Sequence, residues 1–462
     1  MDLIIREGTI VTSSDIYKAD IGIKDGKITI ISDNLLEPAR EEINAEGKYV
    51  FPGFIDGHTH LEMPLNNKVT SVDDFYTGTV AAAFGGTTSI VDYIVPSDNQ
   101  TLIDATRAWK RKAQDKAVID YGFHITVTNP TESTISEVKN LYKEGITSVK
   151  CFTTYLNKFM MSDEQIYKLL KESKESKMLV IMHCENGYLL EYLTKELLEQ
   201  GKIDPKYHPI SRPPILEEES ISKVIDIAKL AEAPILIAHL STSGGLQRIK
   251  TARNLALPVF AETCPAYLIL TDEVFKAKGF EAAKYVCSPP IRPYGHQDEL
   301  WRGIFSGDIQ VISTDHCPFN YETDKQSDKK DFTRIPNGIP SIEERIPLLF
   351  SEGVIKRNLN LNKFVAITSS LPAKIFGLYP EKGNLNINSD ADIVIYNPHK
   401  EWIISHKTQH HACDYNVFEG MKVTGKPELV ISNGEVTIRD DEFIGKKGRG
   451  KFIKRNASTL LG

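Results

Sequence analysis

No basic segment followed by a long apolar run opens the chain, which begins MDLIIREGTIV, so no secretory signal is expected. No stretch approaches the roughly 20 apolar residues that a bilayer-spanning helix requires, and a membrane is not an expected partner. Cysteines are few and scattered: Cys151, Cys184, Cys264, Cys287, Cys317 and Cys413 form no CxxC motif. That pattern argues against a disulfide framework and for reduced thiols in a cytoplasmic protein. Neither sign of charge dominates. The 55 Lys and Arg face 62 Asp and Glu, and the net charge of −7 argues against a nucleic-acid partner.

What the chain does have is core-forming material. Of its 462 residues, 41% are hydrophobic and 25% charged, a balance that supports a large packed interior. Its two ends read alike. Residues 2 to 48 hold short apolar runs, including Ile21-Gly22-Ile23 and Ile28-Thr29-Ile30 around Lys24-Asp25-Gly26-Lys27, and an Asp-Gly between such runs marks a hairpin. The C-terminal part repeats this style with Ile393–Tyr396, and with Leu429-Val430-Ile431 and Val436-Thr437-Ile438 around Asn433-Gly434. Neither end is large enough to bury a core well alone. Residues 1–51 and 380–462 are therefore expected to join as one small β-sandwich.

The middle, residues 52–379, alternates differently. Continuous apolar runs suited to parallel strands covered on both faces recur. They are Val50–Ile55, Ser89–Val95, Tyr121–Val127, Ser148–Phe152, Met178–Met182, Pro234–Ala238, Pro258–Ala261 and Ile309–Ile312. Between them lie helical spacings such as Ile221, Val224, Ile225 and Ala228. Eight strands with intervening helices predict an α/β fold, a (β/α)8 barrel, which commonly takes about 250 residues or more as one unit.

In such a barrel the reactive groups lie where strands end and βα loops begin. The first strand runs into Asp56-Gly57-His58-Thr59-His60, the fourth ends near Lys150, the fifth ends in His183, the sixth in His239 and the eighth in Asp315. His58 and His60 are two apart, so on a strand both face one way and can grip one ion. An isolated HxH pair or a lone histidine is commonly structural. Imidazoles and a carboxylate converging at one barrel mouth suit zinc or a similar divalent cation. Lys150 stands out, because an ammonium has no acceptor and cannot ligate a cation. It becomes a ligand once its amine has reacted with CO2 to give a carbamate, an anion whose two oxygens can bridge two cations. Cys151, Cys184 and His316 each neighbour one of these residues and are expected to face away from the site, whereas His410-His411 reads as surface.

At this point the sequence resembles the cyclic amidohydrolases, specifically the dihydropyrimidinase and D-hydantoinase family, over nearly its whole length. The motifs are Pro52-Gly53-Phe54-Ile55-Asp56-Gly57-His58-Thr59-His60, Lys150 on the fourth strand, Met182-His183-Cys184-Glu185-Asn186, Ala238-His239-Leu240-Ser241 and Ser313-Thr314-Asp315-His316-Cys317-Pro318. The resemblance implies two divalent metal ions, with zinc expected: His58, His60 and Asp315 would hold one, His183 and His239 the other, and carbamylated Lys150 would bridge them. It implies that Tyr155 donates a hydrogen bond to the developing oxyanion, and that Ser288 and Asn337 hold the cyclic amide mainly through backbone groups. Tyr155 lies an odd number of residues after Lys150, so it shares the pocket only if the chain has left the strand by then. The implied reaction opens a dihydropyrimidine or 5-substituted hydantoin to an N-carbamoyl amino acid, with Asp315 passing the proton to the leaving nitrogen. A homotetramer is implied as well, with Phe443–Leu461 reaching a neighbour.

Related activities separate on single positions. Dihydroorotases typically read HxHxR, the arginine pairing with the substrate carboxylate; Glu62 stands there in this chain and disfavours an acidic ring. Deaminases of the superfamily use HxH without a bridging lysine, so Lys150 argues against them. Allantoinase remains the enzymatic alternative, and a non-catalytic scaffold relative is disfavoured because all six ligand positions are intact. Hydantoinases usually carry Asp where Glu62 stands, with glycines soon after Met-Pro. Here the loop reads Leu65-Asn66-Asn67-Lys68, and it is expected to line the pocket for the ring substituent, leaving substituent preference and stereochemistry open.

Overall fold

The structure, a computed structural model, describes residues 1–66, 68–97 and 100–460. Asn67 of the substituent loop and Leu461 lie outside the described residues. Five strands come from the N-terminal end: β1 (Leu3–Val11), β2 (Ile16–Lys24), β3 (Lys27–Ser32), β4 (Glu41–Asn44) and β5 (Tyr49–Pro52). Eight parallel strands follow as a second sheet: β6 (Phe54–Thr59), β7 (Thr87–Ile94), β8 (Asp120–Thr126), β9 (Ser148–Phe152), β10 (Leu179–His183), β11 (Ile235–Ile237), β12 (Val259–Thr263) and β13 (Val311–Ile312). Helices between them pack outside. The helix Pro214–Ala231 buries Ile221, Val224, Ile225 and Ala228, the side that its spacing marks as apolar. The chain then returns to the first sheet through β14 (Ile393–Ile403), β15 (Lys422–Ser432), β16 (Glu435–Arg439) and β17 (Glu442–Phe443).

The first sheet has nine strands in the order β17-β16-β15-β14-β5-β1-β2-β3, with β4 beside β1. It curls until Arg439 of β16 pairs with Glu41 of β4, and its inner face closes on Leu3, Ile5, Ile21, Ile23, Ile28, Ile393 and Ile431. The expected sandwich is thus one sheet folded over its own core. The run Val50–Ile55, expected as a single barrel strand, is divided between the sheets at Gly53. The Gly53 N–H donates to Asp392 O at 2.8 Å, and a Cβ there would come within 2.0 Å of Thr88 Oγ1, so the crossing is too tight for any side chain.

The eight-stranded sheet closes into a barrel through side chains and through a parallel backbone bridge between Thr59 and His316, where the His60 N–H donates to His316 O at 2.9 Å. Arg345, fully buried, donates to Ile55 O at 3.0 Å and to Ile312 O at 2.9 Å, joining β6 to β13. Asp56 accepts from the Thr314 N–H at 3.1 Å and from its hydroxyl at 2.7 Å. Ile55, Val91, Tyr93, Leu179, Ile181, Leu236, Phe260 and Val311 fill the interior, and Ile375, Phe376 and Leu378 pack beneath them.

Residues 443–456 lie along this barrel. Ile453 N–H donates to Tyr121 O at 2.7 Å, and buried Arg455 donates to Phe376 O, Phe123 O and Ser148 Oγ, spending its guanidinium on groups at the barrel floor. Of the pair His410-His411, expected at the surface, His410 is exposed and His411 is not. His411 is buried 3.5 Å from the Glu344 carboxylate, and His410 bonds Glu343 through both its N–H and Nδ1. Among the described residues no helix is long and apolar enough to cross a membrane.

Candidate active site

Six side chains meet at the mouth of the barrel. His58 lies in β6, Lys150 in β9 and His183 ends β10, while His60, His239 and Asp315 stand just beyond β6, β11 and β13. His239 and Asp315 adopt positive φ (35° and 53°), which turns the chain off the strand and re-aims each side chain. Such backbone costs about 1–3 kcal/mol per residue and persists where the surroundings enforce it. His58, Lys150, His183 and His239 are buried, whereas the side chains of His60 and Asp315 keep 17% and 20% exposure, which places them on the open side.

The hydrogen-bonding pattern fits a cation site. His58 Nδ1 is 2.6 Å from Glu262 Oε1, and a neutral imidazole that donates there carries a lone pair at Nε2. That Nε2 faces Asp315 Oδ1 at 3.2 Å, and His60 Nε2 faces the same oxygen at 3.1 Å. His58, His60 and Asp315 form the cluster whose ligand atoms all lie within 4.8 Å of one another. On the other side His183 Nε2 is 2.8 Å from Glu185 Oε2, which leaves Nδ1 as the acceptor. The His183 and His239 rings lie 4.6 Å apart, and those of His58 and His239 5.4 Å apart, which joins the two groups. Lys150 Nζ is 3.5 Å from His239 Nε2 and sits 5.0 Å from the centre of the Tyr93 ring.

Charge follows from burial. Desolvation pushes His60, His183 and His239 down toward the neutral imidazole that ligation requires. It pushes the Lys150 ammonium down as well, toward the free amine. Burial opposes ionisation of Asp315, but His58 and His60 outweigh it and hold the carboxyl at about 2.

Two carboxylates that the sequence motifs did not mark out hold these histidines. Glu262 Oε1 accepts from His58 and from the His239 N–H at 3.2 Å, touching both groups of side chains at once. Glu185, fully buried, is held between His183 and Arg212, whose Nη1 donates to it at 2.6 Å. Burial opposes its charge, yet Arg212 and His183 keep its carboxyl below the usual range. Each had a sequence signal: Glu185 is two residues after His183, and Glu262 is an acidic residue at the end of the seventh strand, one position past its expected limit.

The remaining predicted residues cluster beside this group. β9 ends at Phe152, and Tyr155 has φ 64°, so the chain has turned off the strand before the tyrosine. Its ring centre is 5.6 Å from that of His183, and burial pushes its hydroxyl up, which keeps it a donor. Ser288 Oγ and Asn337 Oδ1 are buried with no hydrogen-bond partner among the described residues. Cys151 and Cys184 pack into the core outside the barrel, and His316 bonds Asp73 at 3.0 Å. Glu62 plays a different part from that expected. Its carboxylate is paired with Lys116 at 2.8 Å, so its charge is compensated rather than free to repel an acidic ring.

The comparisons agree with this geometry. Residues 49–437 match the model of the amidohydrolase family. The chain is 47% identical to a D-hydantoinase of Geobacillus stearothermophilus over 98% of this chain and 97% of that one. It is 42% identical to a D-hydantoinase of Streptomyces coelicolor over 99% of each. Among solved structures it resembles a dihydropyrimidinase from Brevibacillus agri NCHU1002, with a TM-score of 0.97, 45% identity and 99% of both chains covered. End-to-end matches of this strength, on a barrel whose strand ends gather these histidines, mean that the chain belongs to the amidohydrolase family and is a hydrolase of its D-hydantoinase and dihydropyrimidinase branch.

Proposed function

We propose that this protein opens cyclic ureides, dihydropyrimidines and 5-substituted hydantoins, to N-carbamoyl amino acids at a centre of two divalent ions bridged by carbamylated Lys150. The observation that carries this reading is the meeting of four imidazoles, one carboxylate and a buried lysine amine at one barrel mouth. Ions held by His58, His60 and Asp315, and by His183 and His239, would supply a nucleophilic form of water near neutral pH and polarise the ring carbonyl.

The chain's own residues do the rest. Asp315, on the open side of the site, accepts the proton of the attacking water and delivers it to the ring nitrogen as the C–N bond breaks. The Tyr155 hydroxyl donates to the oxyanion, and losing one such donor costs about 10²–10³ in rate. Ser288 and Asn337 offer backbone groups to the amide edge of the ring. Relatives at 47% and 42% identity are D-hydantoinases, which favours the D configuration for a hydantoin substrate.

The test is ring opening of dihydrouracil and of a 5-substituted hydantoin by protein supplied with zinc and bicarbonate, beside allantoin and dihydroorotate. Turnover of the first two, lost on chelation, is expected. No turnover of either by metal-loaded protein would overturn the proposal.

A further inference from the structure

The two loops proposed to hold the ring come from distant parts of the chain, and one side chain ties them together. Lys325, fully buried at the end of the turn Tyr321–Lys325, donates from Nζ to Val286 O at 3.1 Å and to Pro336 O at 3.0 Å. Each carbonyl is within two residues of a proposed substrate contact, Ser288 in one case and Asn337 in the other. A backbone bond from Gly338 N–H to Val286 O, 3.0 Å, completes the junction.

The surroundings of this ammonium are those of a tether, not of an ion pair. Cys287, Cys317, Cys413, His208 and Asp324 face it. Asp324 Oδ2 is taken by the Asn320 N–H at 2.8 Å, and Lys325 forms no salt bridge among the described residues. Burial pushes its ammonium down to about 8. An uncompensated buried charge is unfavourable, and a methionine of similar length would fill the volume without that cost. What methionine cannot do is hold two carbonyl groups at a fixed separation.

We propose that Lys325 is a positioning residue for the substrate, whose ammonium fixes the spacing between the Ser288 and Asn337 loops and so the slot that takes the amide edge of a cyclic ureide. This rests on the function proposed above. Lys325 touches neither the substrate nor a metal ligand, so its loss falls on ring binding.

The test replaces Lys325 by Met in the full-length, metal-loaded enzyme. KM for the ring substrate is expected to rise about tenfold or more, with kcat within about threefold of wild type and metal content unchanged. Hydrogen exchange is expected to quicken in both loops together and to stay unchanged in β6 and β10. Lys325→Gln, which keeps N–H donors on a shorter uncharged arm, is expected to fall between wild type and Lys325→Met. An unchanged KM in a folded variant, loosening of only one loop, or failure of both variants to fold would overturn the proposal. If wild-type enzyme opens no cyclic ureide, the proposed function falls, while the exchange measurement still decides whether Lys325 couples the loops.

Discussion

Replacing Glu262 by Ala is expected to weaken the metal centre without touching a ligand. Its Oε1 accepts from His58 Nδ1 at 2.6 Å and from the His239 N–H at 3.2 Å, and both sit at the buried heart of the site. The first bond fixes which nitrogen of His58 is free to ligate; the second holds the strained backbone of His239. A hydrogen bond to a charged group contributes about 1.5–3 kcal/mol. Loss of an outer partner of a ligating histidine commonly costs 10–100-fold, or about 1.4–2.7 kcal/mol, in metal affinity or activity. The two estimates overlap, so metal affinity is expected to fall about 10–100-fold. The stranded His239 N–H should also lower stability by about 1–3 kcal/mol. Competition with a chromophoric chelator reads the affinity, and a thermal melt of the apo protein reads the stability. Glu262→Gln, which keeps an acceptor for both donors, should recover most of the stability and little of the affinity. Metal affinity of Glu262→Ala within about twofold of wild type would refute the assignment of an orienting role.

Other perturbations separate the remaining parts. Lys150→Ala and Asp315→Ala should each lower kcat by at least about 10³, and a Lys150 variant with full metal content and full activity would rule out a bridging carbamate. Arg345→Met opens the barrel seam and removes the guanidinium that lies 3.7 Å from the buried Asp56 carboxylate, so urea unfolding should show a loss of about 3–5 kcal/mol; a loss below about 1 kcal/mol would contradict the seam role. Asp20 is partly desolvated, which raises its pKa, but the N–H groups of Glu7 and Leu35 and the Arg6 guanidinium lower it below the ordinary 3.8. Its stabilisation is therefore complete above pH 3.8 and lost as pH falls through the lower folded value. Melting temperatures measured from pH 6 downward should consequently drop more steeply below about pH 4 for wild type than for Asp20→Asn, and equal slopes would exclude the linkage.

Much of the site was legible because it follows strand ends. The spacing of His58 and His60, and the apolar runs leading to Lys150, His183, His239 and Asp315, report local periodicity, and a parallel barrel turns that periodicity into convergence. Tyr155, Ser288 and Asn337 carried no such signal, since residues in loops are placed by contacts rather than by period. Glu62 shows the converse. Its position along the chain matched that of a substrate contact, yet its partner, Lys116 on a distant segment, decides what its charge does.

Alternation and apolar runs, properties of neighbouring residues, determined on their own that the chain would form a parallel barrel flanked by a sheet from both ends. Only the tertiary structure decided where Val50–Ile55 is cut, how β6 meets β13 through Arg345, and that Lys325 holds two loops by their carbonyl groups. The reason is physical. A buried polar group must find a partner wherever the fold presents one, and such partners are fixed by proximity in space, which a linear pattern does not encode.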